Sequence, residues 1–295
     1  MSRSKRRLAS LLALCCVLGL AACAQKTPGN TEVLANLEAA NTNQALLERH
    51  ERIASQRTYY NADGTKNHQY NYLDSERFVQ EYEGQVLVDE GGVVYGRDGT
   101  EPYCYLFIDG SYEGFAAMYE QLSCYAPIEE EVVLSTEEKD GVLYIESEVP
   151  PQAQQEAVLE PGGYTVEEGD RYLLHYRTNA ETMELLGFTE TLVRADGEEI
   201  LLAELEMVKD PEPYVVDEEL RDMVYGEPKR TVTVVAGPGT EEERSFSQAD
   251  KQGCSVSLWA DGGFELFTDE ACTEPYVAGS LGTTEEATLY LVAAE

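Results

Sequence analysis

Basic residues are scarce in this chain of 295 residues, in which 21 Lys and Arg face 56 Asp and Glu. The resulting formal net charge of −35 repels nucleic acids and anionic lipid headgroups, and beyond residue 7 the Lys/Arg clusters that bind either are lacking. The composition therefore excludes a nucleic-acid partner. The acidity fits a solvated surface that discourages self-association, so we expect a monomer.

Motifs of catalysis and metal binding are also lacking. The chain has only three histidines, His50, His68 and His175, and none has a second His or Cys at the spacing of a zinc site. No GxSxG, P-loop, dinucleotide-binding or EF-hand motif is present. The sequence therefore predicts no catalytic residues, no metal ligands and no cofactor-binding residues. A hydrolase assembled from distant residues is the alternative.

A hydrophobic run long enough to cross a membrane is the third missing feature. The apolar run at residues 8–20 is shorter than the roughly 20 residues that a membrane-spanning helix needs. It follows a basic segment that contains Arg3, Lys5, Arg6 and Arg7. This pattern is typical of a cleavable export signal, which we predict at residues 1–22.

The residues that end this signal are Leu20, Ala21, Ala22 and Cys23, and they resemble the lipobox of bacterial lipoproteins. The resemblance implies cleavage between Ala22 and Cys23 and a covalent lipid on the Cys23 thiol. The mature chain would then be extracytoplasmic and anchored to the bacterial cell membrane, with residues 23–30 as a polar tether. An ordinary secretory signal beside an incidental cysteine is the alternative.

Four cysteines remain after removal of the signal. They form two local pairs, so Cys104–Cys124 and Cys254–Cys272 are plausible disulfides in an exported protein, each worth about 3 kcal/mol on the loop-entropy model. Four cysteines allow three connectivities, and free buried thiols are the alternative to all of them.

Hydrophobic periodicity predicts a mainly β protein with a few short helices. Helical spacing is found at 31–41, 44–49 and 114–122, whereas strands joined by Asp-Gly turns are predicted elsewhere. We expect one strand over 77–88, a polar Gln-rich loop from 150 to about 163, and a closing hairpin made of 183–194 and 198–209. Residues 211–229 are acidic and contain Pro, which predicts a linker before a small β module at 230–295.

The first domain, residues 31–210, is similar to the LolA/LolB-like half-barrel of lipoprotein carriers. Residues 46–50 running into 59–64, together with 178–210, carry the resemblance. It implies an antiparallel half-barrel sheet whose concave face is lined by apolar residues, covered by the N-terminal helices and able to hold acyl chains. A lipid on Cys23 would keep this chain in place, so the shuttling role of the carriers is not implied.

The C-terminal module resembles the internalin-type B-repeat, or Listeria–Bacteroides repeat, of bacterial surface proteins. Residues 263–276 and 287–291 carry this resemblance, although Leu266 or Phe267 stands where the repeat has tryptophan. It implies a β-grasp-like module with a noncatalytic spacer or adhesion role.

Together these patterns predict a noncatalytic, membrane-anchored lipoprotein that binds a hydrophobic ligand in the half-barrel. Two alternatives stay open: an adhesion or scaffold lipoprotein whose C-terminal module contacts a surface protein or glycan, and the unrecognised hydrolase.

Overall fold

The computed structural model describes residues 31–107, 128, 130–225, 229–236, 244–249, 255–259, 264–277 and 286–293. The predicted signal, Cys23, the tether and the predicted helix at 114–122 lie outside these ranges. Within the described ranges, no helix has both the length and the apolar character needed to cross a membrane. The chain divides into two compact units, 1–83 with 117–213 and 84–116 with 214–295.

The first unit is an antiparallel sheet preceded by two short helices. Its strands lie in the order β3-β2-β1-β11-β10-β9-β8-β7. The helices are α1 (Thr31–Ala40) and α2 (Asn43–Leu47). The strands are β1 (Arg52–Tyr60), β2 (Lys66–Asp74), β3 (Arg77–Tyr82), β7 (Val132–Lys139), β8 (Val142–Val149), β9 (Arg171–Asn179), β10 (Leu185–Val193) and β11 (Glu199–Lys209).

Tight turns set the register of the hairpins. Between β1 and β2, Asp63 Oδ1 accepts a hydrogen bond from Thr65 N at 2.9 Å, and Gly64 has a φ of 84°. Between β7 and β8, Asp140 and Gly141 both adopt positive φ, which suits the turn that joins twisted antiparallel strands. The predicted β1–β2 and β10–β11 hairpins are both present.

A β-bulge at Leu202 changes which side chains of β11 face the core. Glu190 pairs with Ala203 and Thr191 pairs with Leu201, so Leu202 has no partner of its own in β10. Leu202 and Ala203 are therefore both buried although they are consecutive, and Leu201 is exposed. Simple alternation does not reveal this bulge.

Two predictions about residues 31–210 are wrong. Residues 77–88 form two strands rather than one, because the chain turns at Glu83 and Gly84, both with positive φ. Residues 150–163 are not a simple polar loop. They contain a 3₁₀-helix (Pro151–Gln154) and a π-helix (Gln155–Leu159) whose Ala157, Val158 and Leu159 are buried.

The second unit contains part of a sheet with strand order β14-β6-β5-β4 and a separate sheet with order β13-β12-β16-β15. In the separate sheet, the central strands β12 and β16 are parallel and each pairs with an antiparallel neighbour. The elements are β4 (Gln85–Glu90), β5 (Val93–Asp98), β6 (Glu101–Phe107), α3 (Glu218–Tyr225), β12 (Lys229–Ala236), β13 (Arg244–Ala249), β14 (Ser255–Trp259), β15 (Phe264–Phe267) and β16 (Glu286–Ala293).

The second unit differs from the predicted organisation in its membership. The described residues 84–107, assigned by sequence to the first domain, group with the C-terminal residues, and β6 pairs in parallel with β14. The predicted linker contains α3, and β13 was not predicted. The fold class itself is as predicted: mainly β, with N-terminal helices on an antiparallel sheet and a small C-terminal β module.

Candidate ligand-binding face

One face of the first sheet, here called the inner face, contacts α1. Residues directly opposite each other on paired strands point to the same side of a sheet, so the register identifies the members of this face. Arg57 lies opposite Leu205, Phe188 opposite Leu205, and Tyr176 opposite Phe188. On β7 to β11 the inner face is mainly apolar, and on β1 to β3 it is mainly polar. These parts are called the apolar half and the polar half.

The apolar half is a continuous packed layer. Tyr176 and Phe188 meet edge to face with ring centroids 5.8 Å apart. The helix α1 contributes Leu34 and Leu37, and the π-helix contributes Ala157, Val158 and Leu159. The sheet contributes Val133, Ile145, Val149, Tyr172, Leu174, Tyr176, Leu185, Phe188, Leu192, Leu202 and Leu205.

The side chain of Asn41 connects the C-terminal end of α1 to the turn before β10 by hydrogen bonds. Its side-chain nitrogen donates to Leu37 O at 2.7 Å and to Met183 O at 2.9 Å. Its side-chain oxygen accepts from Leu185 N at 2.7 Å. Asn41 is 1% exposed, so each of these bonds replaces water at a buried group. This one amide therefore fixes where α1 lies on the sheet.

The polar half contains a network of buried amides. Asn71 Oδ1 accepts from Gln69 Nε2 at 3.1 Å and from Gln80 Nε2 at 3.2 Å. Tyr59 donates from its hydroxyl to Gln69 Oε1 at 3.1 Å. Amide side chains that bond one another in this way fix a unique arrangement, because each lost partner leaves a buried polar group unsatisfied.

An ion pair lies at the border of the two halves. Arg57 Nη2 contacts Glu190 Oε1 at 2.5 Å, and the guanidinium carbon lies 4.6 Å from the Tyr59 ring centroid and 5.3 Å from that of Phe188. Tyr172 donates from its hydroxyl to Glu190 Oε2 at 2.5 Å. Burial, followed by Glu190, raises the pKa of Tyr172 well above its ordinary value. The phenol therefore stays protonated and serves as a hydrogen-bond donor.

Burial alone would lower the pKa of Arg57, but Glu190 together with Tyr59, Tyr172 and Tyr176 raises it overall. Arg57 is therefore a permanent cation between two aromatic rings, and its neutralising partner is a carboxylate that is itself buried.

A second cluster of charges joins α2 to the ends of β1, β10 and β11. The buried carboxylate of Glu184 contacts Lys209 Nζ at 2.5 Å, Arg49 Nε at 3.0 Å and His50 Nε2 at 3.3 Å. The other ring nitrogen of His50 lies 3.4 Å from Asp210 Oδ2. Burial alone would raise the pKa of Glu184, but the cations, with Lys209 first, lower it. The cluster forms a structural link between the helices and the sheet.

The other residues considered for chemistry are dispersed. His68 Nδ1 lies 3.3 Å from Thr58 Oγ1 on an exposed hairpin, and His175 lies opposite Glu146 and Thr189 in the strand register. The two ring nitrogens of His50 contact the carboxylates of Glu184 and Asp210, and these also bind cations or backbone amides. Among the described residues, no group of His, Cys, Asp and Glu could hold a metal ion.

The predicted disulfides are not seen in the described part of the chain. Cys272 is a free thiol that donates weakly to Glu270 O, with Sγ and O 3.8 Å apart. Its predicted partner Cys254 lies outside the described residues, so the Cys254–Cys272 pairing stays a prediction. Cys124 and Cys254 lie outside the described residues, and only the backbone of Cys104 is described.

Among the residues that the structure describes, the side chains of the apolar half are almost completely covered. A cavity of about 10 Å³ lies beside Ser55 and Asn71, close to the minimum volume for one water molecule and far too small for a lipid. Another cavity, of about 460 Å³, is an open cleft formed by residues 152–168. An apolar ligand on the inner face must therefore displace part of its cover.

Sequence reasoning missed the residues that organise this face. Asn41 ends the predicted helix as an ordinary polar residue, and Arg57 and Glu190 lie 133 positions apart in different hairpins. The alternation of side chains along the strands did contain one indication of this ion pair. Arg57 and Glu190 occupy positions that the strand period assigns to a buried face, and a buried charge requires a partner.

No protein-family model matches the sequence, and no curated protein matches it significantly. Similar solved structures include a LolA superfamily protein from Nitrosomonas europaea, at 10% identity over 63% of this chain and 94% of that chain, with a TM-score of 0.24. LprF from Mycobacterium bovis is similar at 10% identity over 64% of this chain and 99% of LprF, with a TM-score of 0.29.

A chain of the MucA/MucB complex of Pseudomonas aeruginosa is similar at 12% identity over 73% of this chain and 74% of that chain, with a TM-score of 0.26. These TM-scores are too low to support an argument about function. Function is therefore inferred from the contacts within this chain.

Proposed function

We propose that this chain is a membrane-anchored, extracytoplasmic lipoprotein that binds an apolar ligand, without catalysis, on the inner face of a LolA-like half-barrel. One observation carries the proposal: a short separate helix, α1, covers the apolar half. The ligand binds where Leu34 and Leu37 of α1 pack in the closed arrangement.

The cover can separate from the sheet more easily than any strand can. A helix of ten residues is only marginally stable by itself, so α1 depends on its apolar contacts and on Asn41. Each strand of the sheet interior, by contrast, is held by backbone hydrogen bonds to two neighbours. Opening at α1 therefore exposes the apolar layer without removing a strand from the sheet.

The surface beneath α1 suits an acyl chain or a similar apolar group. Its members are mainly aliphatic and aromatic side chains. The acidic groups at this surface are engaged: Glu131 accepts hydrogen bonds from Tyr176 and Ser147, and Glu190 pairs with Arg57 at the border of the two halves. A ligand placed there replaces the leucine contacts of the cover by its own, so the apolar layer stays out of water.

The anchor and the cover are adjacent in the chain. The proposed tether, residues 23–30, ends immediately before α1 begins at Thr31. Eight extended residues reach about 28 Å at most, so the cover stays near the membrane to which Cys23 would be attached. This proximity supports a ligand that comes from the membrane.

The anchor is tested by expressing the full chain and its Cys23→Ala variant in a bacterium that processes lipoproteins. We expect the parent protein in the membrane fraction with the mass of a chain that begins at lipidated Cys23. The variant should lose the lipid and leave the membrane fraction. A parent protein with an unmodified thiol at Cys23 would overturn the anchor.

The ligand is tested by extracting the purified full chain with organic solvent and analysing the extract by mass spectrometry. We expect an apolar compound in stoichiometric amount that is absent from an equally treated unrelated lipoprotein. The adhesion role of the C-terminal module stays a prediction from its B-repeat resemblance.

A further inference from the structure

We infer that the open cleft formed by residues 152–168 is a binding site for a neutral, polyhydroxylated ligand of the saccharide class. The inference is independent of the apolar ligand proposed above. The cleft has a volume of about 460 Å³, enough for a small oligosaccharide. Its lining consists of Gln152, Gln155, Glu160, Tyr164, Thr165, Val166, Glu167 and Glu168.

The two walls of the cleft are preformed. One wall comes from the 3₁₀- and π-helices, which are fixed in the apolar half by Ala157, Val158 and Leu159. The other wall follows a reversal at Gly162 and Gly163. Backbone bonds tie the walls together: Tyr164 N donates to Leu159 O at 2.8 Å, and Gly162 N donates to Val158 O at 3.1 Å.

Glycine is favoured where the walls meet. A Cβ on Gly162 would lie 3.0 Å from Val158 O, and Gly163 has a φ of 76°, which favours glycine. Tyr164 is fixed as well, because its hydroxyl donates to Tyr60 O at 2.9 Å. A rigid cleft loses little conformational entropy when it binds a ligand.

The π-helix is an unusual element for a cleft wall. Such turns are rare, and they occur frequently at functional sites. Here the π-helix presents Gln155 to the cleft and directs Ala157, Val158 and Leu159 into the core. Gln155 Nε2 donates to Glu160 Oε1 at 2.8 Å, which orients both side chains at the rim.

The chemistry of the lining selects the ligand class. Two carboxamides and a hydroxyl donate and accept, the carboxylates accept, and Tyr164 offers an aromatic surface. No Lys, Arg or His lines the cleft, so it repels phosphate, sulfate and carboxylate groups. The side chains of Glu167 and Glu168 make no hydrogen bond within the described part of the chain. They are available to accept hydroxyl groups of a sugar.

The test is isothermal titration of the purified full chain with two neutral trisaccharides, triacetylchitotriose and maltotriose, and with a sulfated disaccharide as the anionic probe. We expect at least one neutral trisaccharide to bind with a Kd of about 1 mM or tighter. The anionic probe should not bind. Absence of binding by both trisaccharides, or stronger binding by the anion, would overturn the assignment.

The location is tested with Glu167→Ala/Glu168→Ala and, as the matched control, Glu181→Ala, an exposed carboxylate outside the cleft. We expect the double variant to weaken trisaccharide binding by about tenfold, with an unchanged melting temperature. The control should bind like the parent. Equal binding by all three proteins would place the sugar elsewhere and reject the cleft as the site.

Discussion

The two halves of the inner face are buried to a similar degree by opposite kinds of side chain. In the apolar half, Leu37 and Leu192 are completely buried among hydrocarbon. In the polar half, Asn71 and Gln80 are 5% and 7% exposed, and they bond each other. Apolar contacts have no preferred direction, whereas hydrogen bonds between amide side chains are lost on small displacements. The apolar half can therefore exchange one apolar partner for another, and the polar half cannot.

The largest effect is expected where the halves meet. Glu190→Leu should leave Arg57 as a buried cation without its carboxylate and Tyr172 without an acceptor. We expect a loss of about 3–5 kcal/mol in the free energy of unfolding, measured with urea. The double variant Arg57→Met/Glu190→Leu removes both charges and should recover much of this loss. A loss below about 1 kcal/mol in the single variant would show that Arg57 reaches water.

A somewhat smaller effect is expected beneath the cover. Leu37→Ala removes a completely buried side chain of α1 and should cost about 2–5 kcal/mol in urea unfolding. Leu201→Ala is the matched control, because Leu201 is 38% exposed beside the β11 bulge, and it should stay within about 0.5 kcal/mol of the parent. Equal effects of the two variants would mean that α1 does not pack on the sheet in solution.

The polar half should respond through lost hydrogen bonds rather than lost volume. Asn71→Ala deprives the side chains of Gln69 and Gln80 of their common acceptor, and should cost about 1–3 kcal/mol by urea unfolding. Asn67→Ala, at a half-buried site on the same strand, is the comparison and should cost less. A larger loss in Asn67→Ala than in Asn71→Ala would contradict the structure, because it would place the buried amide network nearer the β1–β2 turn.

The smallest effect concerns pH. The pKa of Glu184 is lowered, so its ion pairs stabilise the fold above the ordinary Glu pKa of about 4.3. That stability is lost as the pH falls through the lower pKa of the folded state. We expect the free energy of unfolding, measured with urea, to decline between neutral pH and that acidic range. The decline should be smaller in Glu184→Gln than in the parent. An identical decline in both proteins would assign it to other carboxylates.

The sequence predicted those parts of the fold that depend on local pattern. The β1–β2 hairpin follows from alternation around residues 61–64, and α1 follows from the helical spacing of Leu34 and Leu37. The bulge at Leu202 and the division at Glu83 do not change the hydrophobic pattern enough to be seen. The π-helix was taken for a loop because its polar Gln residues mask the buried Ala157, Val158 and Leu159.

The candidate face was predicted in outline only. A helix-covered apolar sheet was expected, but the amide network on the consecutive strands β1 to β3 was not. Arg57 and Glu190 become partners only after β1, β11 and β10 are in register. Likewise, the parallel pairing of β6 with β14, and hence the grouping of the described residues 84–107 with the C-terminal region, has no local sequence signal.

The most direct test of the central claim is the binding of a fluorescent fatty acid to the full chain and to two variants of reduced stability. Asn41→Ala loosens α1 by leaving Leu185 N without its acceptor, whereas Val79→Ala weakens the first unit at β3, outside the apolar half under the cover. We predict tighter or faster binding by Asn41→Ala than by the parent, and parent-like binding by Val79→Ala. No binding by any of the three, or equal gains in both variants, would contradict a ligand site beneath α1.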